Sequence, residues 1–214
     1  MARPRLHELD DLLDVAERLV TGGDTAGLTL RGLAASAGVS NGTIYHAFSS
    51  KEDLLARLWL RASTRLAQII ETALAETAHD DSAACVVAVA LAPVRLARSH
   101  ARSALLFFGQ RSDQLFSADI PAELVTALAA SQHRFVDLLQ QLADGVWQRR
   151  DRTAVDAITA CVVDLPSGLI RRRLLAGLPL EPAIEQRIAA AVRAVLALPL
   201  DPVPVPRAET RSTR

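Results

Sequence analysis

The residues of this chain whose types and spacing best suit recognition chemistry lie on one short predicted helix, 41–48. Ile44 and Phe48 are four residues apart and therefore share a helix face, which we expect to be buried. The opposite face and its flanks carry hydroxyl and imidazole groups, which donate and accept hydrogen bonds without a fixed charge. Such groups can contact base edges and phosphates. The residues that this pattern predicts to face outward are Gly42, Thr43, Tyr45 and His46.

A second short helix precedes this one, and the pair is typical of a helix-turn-helix. The apolar stripe of the first helix covers 29–37, with Thr29 suited to cap its first turn. Gly38 permits the sharp turn between the helices, Val39 would fill the space between them, and Ser40 can cap the second helix. Such a pair can bind DNA, and a helical adaptor that uses it to bind protein is the alternative.

Helical periodicity continues along the chain, and no segment has the alternation of a convincing strand, so the sequence predicts an all-α fold. Pro93 and Pro166 fall inside predicted helices, where each is expected to cause a kink. The segment 199–214 contains four prolines and is predicted to be a disordered tail. The other predicted helices cover 6–20, 50–78, 82–100, 101–111, 122–150, 153–176 and 182–198.

Composition and charge exclude several classes of protein. Lys and Arg together number 24, as do Asp and Glu, so net charge gives no argument for an anionic partner. Residues 1–11 lack the apolar segment of a signal peptide, and no sufficiently long apolar stretch indicates a membrane span, so we expect a cytoplasmic protein without membrane contact. Cys85 and Cys161 lie in separate apolar runs and are expected to be buried, reduced thiols.

Catalytic and metal-binding motifs are missing from the sequence. We find no Gly-rich phosphate loop, no nucleophile elbow and no usefully spaced pair of carboxylates, so we expect neither an enzyme nor a cofactor. His79-Asp80-Asp81 stands where a helix should end, without a second pair of ligands, and is expected to be a loop. Arg171-Arg172-Arg173 cannot converge on one phosphate, because successive helical residues point about 100° apart.

A segment covering roughly residues 8 to 60 resembles the TetR family of transcriptional regulators. The resemblance is carried by Thr29-Leu30-Arg31-Gly32-Leu33-Ala34, by Gly38-Val39-Ser40-Asn41-Gly42-Thr43-Ile44-Tyr45-His46-Ala47-Phe48, and by Ser50-Lys51-Glu52-Asp53-Leu54-Leu55. It implies an N-terminal three-helix DNA-binding domain, 1–50, and a C-terminal effector-binding and dimerisation domain, 51–198. Ala47 departs from the family, because many members carry a larger aromatic or basic residue there. The residues expected to contact DNA are Thr29, Arg31, Ser40, Asn41, Gly42, Thr43, Tyr45, His46 and Lys51.

Two further sites are predicted for the C-terminal domain. Apolar stripes on its last two helices are expected to form a homodimer as a four-helix bundle. They comprise Ile158, Cys161, Val162, Leu165, Leu169, Ile184, Ile188, Ala191 and Val195. A pocket for a small apolar molecule is expected around Leu91, Phe107, Phe108, His133, Phe135, Trp147 and Asp164. A fully packed interior is the alternative to the pocket.

Together these features predict a sequence-specific transcriptional regulator. We expect a repressor that binds double-stranded DNA at an inverted repeat and is released by a small apolar effector. A helical regulator without a ligand and a protein-binding adaptor remain alternatives.

Overall fold

The computed structural model describes residues 6–19, 27–78, 81–109 and 120–200, with side chains from residue 9 onward. Nine helices and no strand occur within these ranges, which confirms the all-α prediction. They are α1 (Leu6–Leu19), α2 (Leu30–Ala37), α3 (Asn41–Ala47), α4 (Lys51–Ala75), α5 (Ser82–Ser99), α6 (Ala101–Gly109), α7 (Ala122–Trp147), α8 (Arg152–Leu175) and α9 (Pro182–Leu196). Most of the predicted tail, 201–214, lies outside the described residues, as do His79 and Asp80.

Proline is accommodated differently in the two helices that contain it. Helix α5 continues through Pro93, whose side chain is buried. In α8, a π-helical turn, Ala160–Asp164, comes just before Pro166. Proline lacks an N–H and its ring would crowd the carbonyl four residues earlier, and the wider π turn relieves both constraints.

The N-terminal apolar cluster reaches well past residue 50. It joins buried side chains of α1, α2 and α3 to the first half of α4, including Leu54, Leu58 and Trp59. Leu106 of α6 and Leu128 of α7 belong to the same cluster. Helices α1 and α4 pack on helices of the C-terminal part, so the apolar cluster beneath the helix-turn-helix continues into that part.

The C-terminal apolar cluster surrounds α5. That helix is buried over most of its length, with Val86, Ala90 and Val94 fully enclosed. By length and hydropathy alone α5 and α8 could cross a membrane. Half of α5 is buried inside the protein, however, as expected of a core helix. Cys161 is a buried free thiol in this cluster, and burial raises its pKa to about 11, whereas Cys85 is a half-buried free thiol.

The apolar stripes predicted to form the dimer interface are mostly turned inward, which corrects that prediction. Because α5 is apolar on nearly all sides, α8 and α9 place their most apolar faces against it. Leu165, Ala191 and Val195 keep half-buried surface, and Leu169 is exposed. The residues that are buried within their own chain are Ile158, Cys161, Val162, Ile184 and Ile188.

Candidate nucleic-acid interface

Helix α3 has one buried face and one open face. Ile44 and Phe48 are both 0% exposed and pack in the N-terminal cluster, which confirms their predicted burial. Tyr45 is 53% exposed, although a tyrosine ring gains substantially from burial. Thr43 and His46 are also exposed. The outward face of α3 therefore presents a phenol, a hydroxyl and an imidazole, each able to make hydrogen bonds with a partner.

Hydroxyl caps hold the first turns of α2 and α3. Thr29 accepts a hydrogen bond from the N–H of Gly32 at 3.0 Å, and Ser40 accepts one from the N–H of Thr43 at 3.1 Å. Since an accepting hydroxyl keeps its own hydrogen, Thr29 can still donate to a phosphate. The Ser40 and Thr43 hydroxyls lie 2.9 Å apart, so one hydrogen joins them and the other is left to donate outward.

The turn between α2 and α3 depends on a left-handed residue. Gly38 has a φ of +68° and closes α2 by donating to Ala34 and Ala35 carbonyls. Val39 is half-buried against the N-terminal cluster, as the sequence suggests for the residue between the helices. The turn thus sets the angle at which α3 leaves α2.

Seven of the nine residues predicted to contact DNA lie at or near the N-terminal ends of α2, α3 and α4, whereas Tyr45 and His46 lie in the last turn of α3. Arg31, Asn41 and Gly42 are exposed, and Lys51, the first residue of α4, is half-buried. Ala47 lines an open cleft of about 370 Å³ together with Val39 and residues of α1, so the small side chain leaves space beside α3. The structure brings the side chains to the surface, while their contact with DNA stays a prediction.

Asp53 anchors the junction between α3 and α4, a role that the sequence only partly indicates. The residue is 1% exposed, and its carboxylate accepts hydrogen bonds from the N–H and hydroxyl of Ser49, at 2.9 and 3.0 Å. The Nε of Arg57 donates to the second carboxylate oxygen at 2.7 Å. The spacing Ser50-x-x-Asp53 predicts a capping box, and Ser50 does accept from the N–H of Asp53 at 3.0 Å. The carboxylate instead binds Ser49, between α3 and α4.

The predicted pocket residues are not gathered in one enclosed site. Phe107 stacks on Trp59 with ring centroids 4.9 Å apart and belongs with the N-terminal cluster. His133 and Asp164 are exposed, so the expectation that they supply polar groups inside a pocket is wrong. Positions 133 and 147 on α7 are also separated by about 21 Å along the helix axis. Four of the predicted residues do line the C-terminal cluster as half-buried side chains, namely Leu91, Phe108, Phe135 and Trp147.

The three consecutive arginines diverge as helical geometry requires. Arg171 donates to the carbonyl of Phe108 at 2.9 Å, and Arg173 donates to the carbonyl of Pro179 and to Glu181. Arg172 is exposed beside an open groove of about 600 Å³ that Gly168 and Leu175 also line. No group of three or more metal-ligating side chains occurs among the residues that the structure describes.

Comparison with known proteins links the N-terminal part to one family. Residues 12–58 match the family model of the bacterial regulatory proteins, tetR family. A search of curated proteins finds no match. The matched segment contains the helix-turn-helix and the first part of α4.

Solved structures resemble the whole fold. A TetR-like transcriptional regulator from Rhodococcus sp. RHA1 has a TM-score of 0.68 at 17% identity, over 91% of this chain and 98% of that chain. The regulator FadR from Bacillus subtilis, in complex with stearoyl-CoA, has a TM-score of 0.61 at 16% identity, over 87% and 95%. AibR, in complex with isovaleryl coenzyme A and operator DNA, has a TM-score of 0.59 at 16% identity, over 86% and 94%.

Proposed function

We propose that this chain, whose residues 12–58 match the family model of the bacterial regulatory proteins, tetR family, is a DNA-binding transcriptional regulator that acts in the cytoplasm as a homodimeric repressor. In this proposal the dimer binds an inverted-repeat operator, and a small effector with an apolar part releases it. The observation that carries the proposal is the open face of α3, where a half-exposed Tyr45 stands beside two exposed hydrogen-bonding side chains.

Recognition of DNA is divided between base-reading and phosphate-binding groups. Thr43, Tyr45 and His46 of α3 enter the major groove, while Arg31 of α2 and Lys51 of α4 bind the backbone. Because α3 carries no Lys, Arg, Asp or Glu, one copy reads only a few base pairs with little electrostatic attraction. Useful affinity therefore requires two copies on two half-sites about 34 Å apart.

Selection of an operator from randomised duplex DNA, followed by fluorescence anisotropy, tests this recognition. We expect Thr43→Ala to weaken binding to the selected operator by roughly 5- to 100-fold, the usual range for one base contact. Thr126→Ala is the matched control, because Thr126 is an exposed threonine on α7. Full affinity of the Thr43→Ala and Tyr45→Ala variants would show that α3 is not the reading helix.

Salt dependence separates the phosphate contacts from the base contacts. Arg31→Gln should weaken selected and random DNA alike and reduce the slope of log K against log[salt] by about 1. Thr43→Ala should leave that slope unchanged, because it removes no charge. Equal slopes for wild-type and Arg31→Gln would exclude Arg31 from the phosphate contacts.

The dimer interface uses the faces of α8 and α9 that their own chain leaves open. Exposed Leu169 and Gly168 lie on α8, and exposed Ala190 and Ala194 lie one turn apart on α9, with Leu198 beyond its end. Small side chains permit two helix pairs to approach closely, as a four-helix bundle requires. Leu165, Ala191 and Val195 contribute from the edges, so four of the nine predicted interface residues remain in the proposal.

Two of the similar structures support a proposal for the effector class. One was solved with stearoyl-CoA and another with isovaleryl coenzyme A, which supports an acyl thioester of coenzyme A for this chain. Leu91, Phe108 and Phe135 are half-buried apolar side chains of α5, α6 and α7 and would line the space for the acyl chain. Occupation there would displace α6 and so change operator affinity.

Thermal shift with acyl-CoA thioesters of increasing chain length tests this effector class, with free coenzyme A as the control. A ligand at 100 times its Kd should stabilise the protein by about 2.7 kcal/mol. Each compound that shifts the melting temperature should then release the selected operator. If neither acyl-CoA nor other apolar compounds stabilise the protein or release DNA, the chain is a regulator controlled by its own abundance.

A further inference from the structure

A buried polar cluster joins the DNA-reading part of the chain to helix α6. Glu17 on α1 is 8% exposed, and both of its carboxylate oxygens accept hydrogen bonds from Nη1 of Arg65 on α4, at 2.8 and 3.0 Å. The hydroxyl of Ser103 on α6, a residue that is 1% exposed, donates to Oε1 of Glu17 at 3.1 Å. Arg65 also donates to that hydroxyl. Three helices therefore meet at one carboxylate.

The charge balance makes Glu17 the centre of this cluster. Nη1 of Arg61 lies 4.0 Å from Oε1 of Glu17 and is buried without a hydrogen-bond partner. A second terminal nitrogen of Arg61 pairs with Asp14, whose side chain is 49% exposed. The Glu17 carboxylate thus faces two guanidinium groups of α4. Removing its charge would leave Arg65 without the acceptor that now orients it, which is costly in a buried site.

The opposite end of α6 is held by a different helix. Arg171 of α8 donates from Nε to the carbonyl of Phe108 at 2.9 Å and from Nη2 to the carbonyl of Gly109 at 3.4 Å. These carbonyls end α6 and have no partner further along that helix. Among the described residues, Ser103 makes the direct hydrogen bond between α6 and α1. Helix α6 therefore spans from α8, in the proposed dimer interface, to α1, in the reading part.

We propose that Glu17, Arg65 and Ser103 are positioning residues that hold the reading part at a fixed place on α6 and thereby determine which half-site spacing the dimer accepts. This inference rests on the proposed function, since it concerns the separation of two recognition helices in a dimer. A one-base-pair change in spacing moves a half-site by about 3.4 Å and rotates it by about 35° around the duplex. A firmly held reading part cannot follow that displacement, whereas a loosened one can.

The experiment compares the selected operator with two variants in which the half-sites are moved together or apart by one base pair. We expect the wild-type protein to prefer the selected spacing by roughly tenfold or more. Glu17→Gln and Ser103→Ala should each lower this preference by about 2- to 30-fold. Affinity for a duplex carrying a single half-site should stay within about twofold, because the base contacts on α3 are unchanged. A merely structural role would weaken all the duplexes alike.

Matched controls use exposed residues of the same types. Asp10→Asn removes an exposed carboxylate from α1, and Ser99→Ala removes an exposed hydroxyl from α5, so both should keep the wild-type spacing preference. If Glu17→Gln does not fold, Ser103→Ala decides, because it leaves the ion pair of Glu17 with Arg65 in place.

The outcomes separate this inference from the proposed function. Variants that discriminate between spacings as strongly as wild-type would overturn the positioning role alone. A wild-type protein that binds all three spacings equally would overturn it too, while leaving operator binding intact. A wild-type protein that selects no operator would overturn the proposed function and this inference together.

Discussion

Removal of the Asp53 carboxylate should destabilise the protein more than removal of any exposed acid of α4. The carboxylate accepts three hydrogen bonds, from the backbone and hydroxyl of Ser49 and from Arg57, and it is almost fully enclosed. A net hydrogen bond contributes about 1 kcal/mol, and one to a charged group contributes about 1.5–3 kcal/mol. The sum is reduced because Ser49 is exposed and the Arg57 side chain is 22% exposed, so both can regain water. We expect Asp53→Ala to cost about 3 kcal/mol and Asp53→Asn about 1–2 kcal/mol.

Urea unfolding followed by circular dichroism measures these costs. Glu52→Gln is the matched control, because Glu52 is the exposed neighbour in the same first turn of α4 and should change stability by less than about 0.5 kcal/mol. Asp53→Asn should also weaken operator binding under conditions where it is fully folded, since Ser49 links α3 to α4. A cost for Asp53→Ala that matches the cost for Glu52→Gln would refute the anchoring role.

Three other predictions concern the dimer, the turn and the acid stability. Ala194→Arg should yield a folded monomer in sedimentation, because residue 194 is exposed in the single chain and lies in the proposed interface. The control Ala129→Arg, at an exposed position on α7, should stay dimeric. A dimeric Ala194→Arg variant would show that the interface lies elsewhere. Gly38→Ala should lower the free energy of unfolding in urea by about 1 kcal/mol or more, because the φ of Gly38 is +68°. Its surroundings leave space for a methyl group, so the cost comes from the backbone conformation. The control Gly27→Ala, also without a close neighbour, should cost less. The hydrogen bond from Arg149 is the main cause that lowers the pKa of Asp151 from 3.8 to about 2. The ionised Asp151 therefore stabilises the folded protein above about pH 4, and this stabilisation is lost as the pH falls towards 2. The difference in stability between wild-type and Asp151→Asn should therefore shrink over that range, and a difference that stays constant between pH 6 and 2 would contradict the lowered pKa.

The helix-turn-helix could be predicted from the sequence because its determinants are local. Thr29 and Ser40 cap helices that begin at the next residue, and Gly38 adopts the left-handed conformation where the sequence suggests a turn. Ile44 and Phe48 are buried because a four-residue spacing puts them on the same face as the neighbouring apolar side chains. Helix bounds elsewhere also agree with the predicted ones to within a few residues, since propensity and capping act over one or two turns.

Packing decided which apolar and acidic side chains of the C-terminal part point inward and which point to solvent. Ile158 and Ile188 satisfy the pattern of an interface stripe equally well when buried against α5, because apolar burial does not depend on which chain provides the partner. Asp164 interrupts an apolar run in the sequence, yet it reaches solvent at the end of the π-helical turn. Periodicity cannot distinguish these outcomes, since it fixes only which residues share a face.

The sequence by itself determined the all-α class, the helix-turn-helix and the residues on the open face of α3, since each depends on interactions between residues a few positions apart. Only the tertiary structure decided that Glu17, Arg65 and Ser103 meet, because the first and last are 86 positions apart and belong to different helices. Their types are unremarkable on amphipathic helices, where acids and arginines usually face water. Burial at the junction of α1, α4 and α6 makes the difference, because a carboxylate removed from water must find its hydrogen-bond donors within the protein.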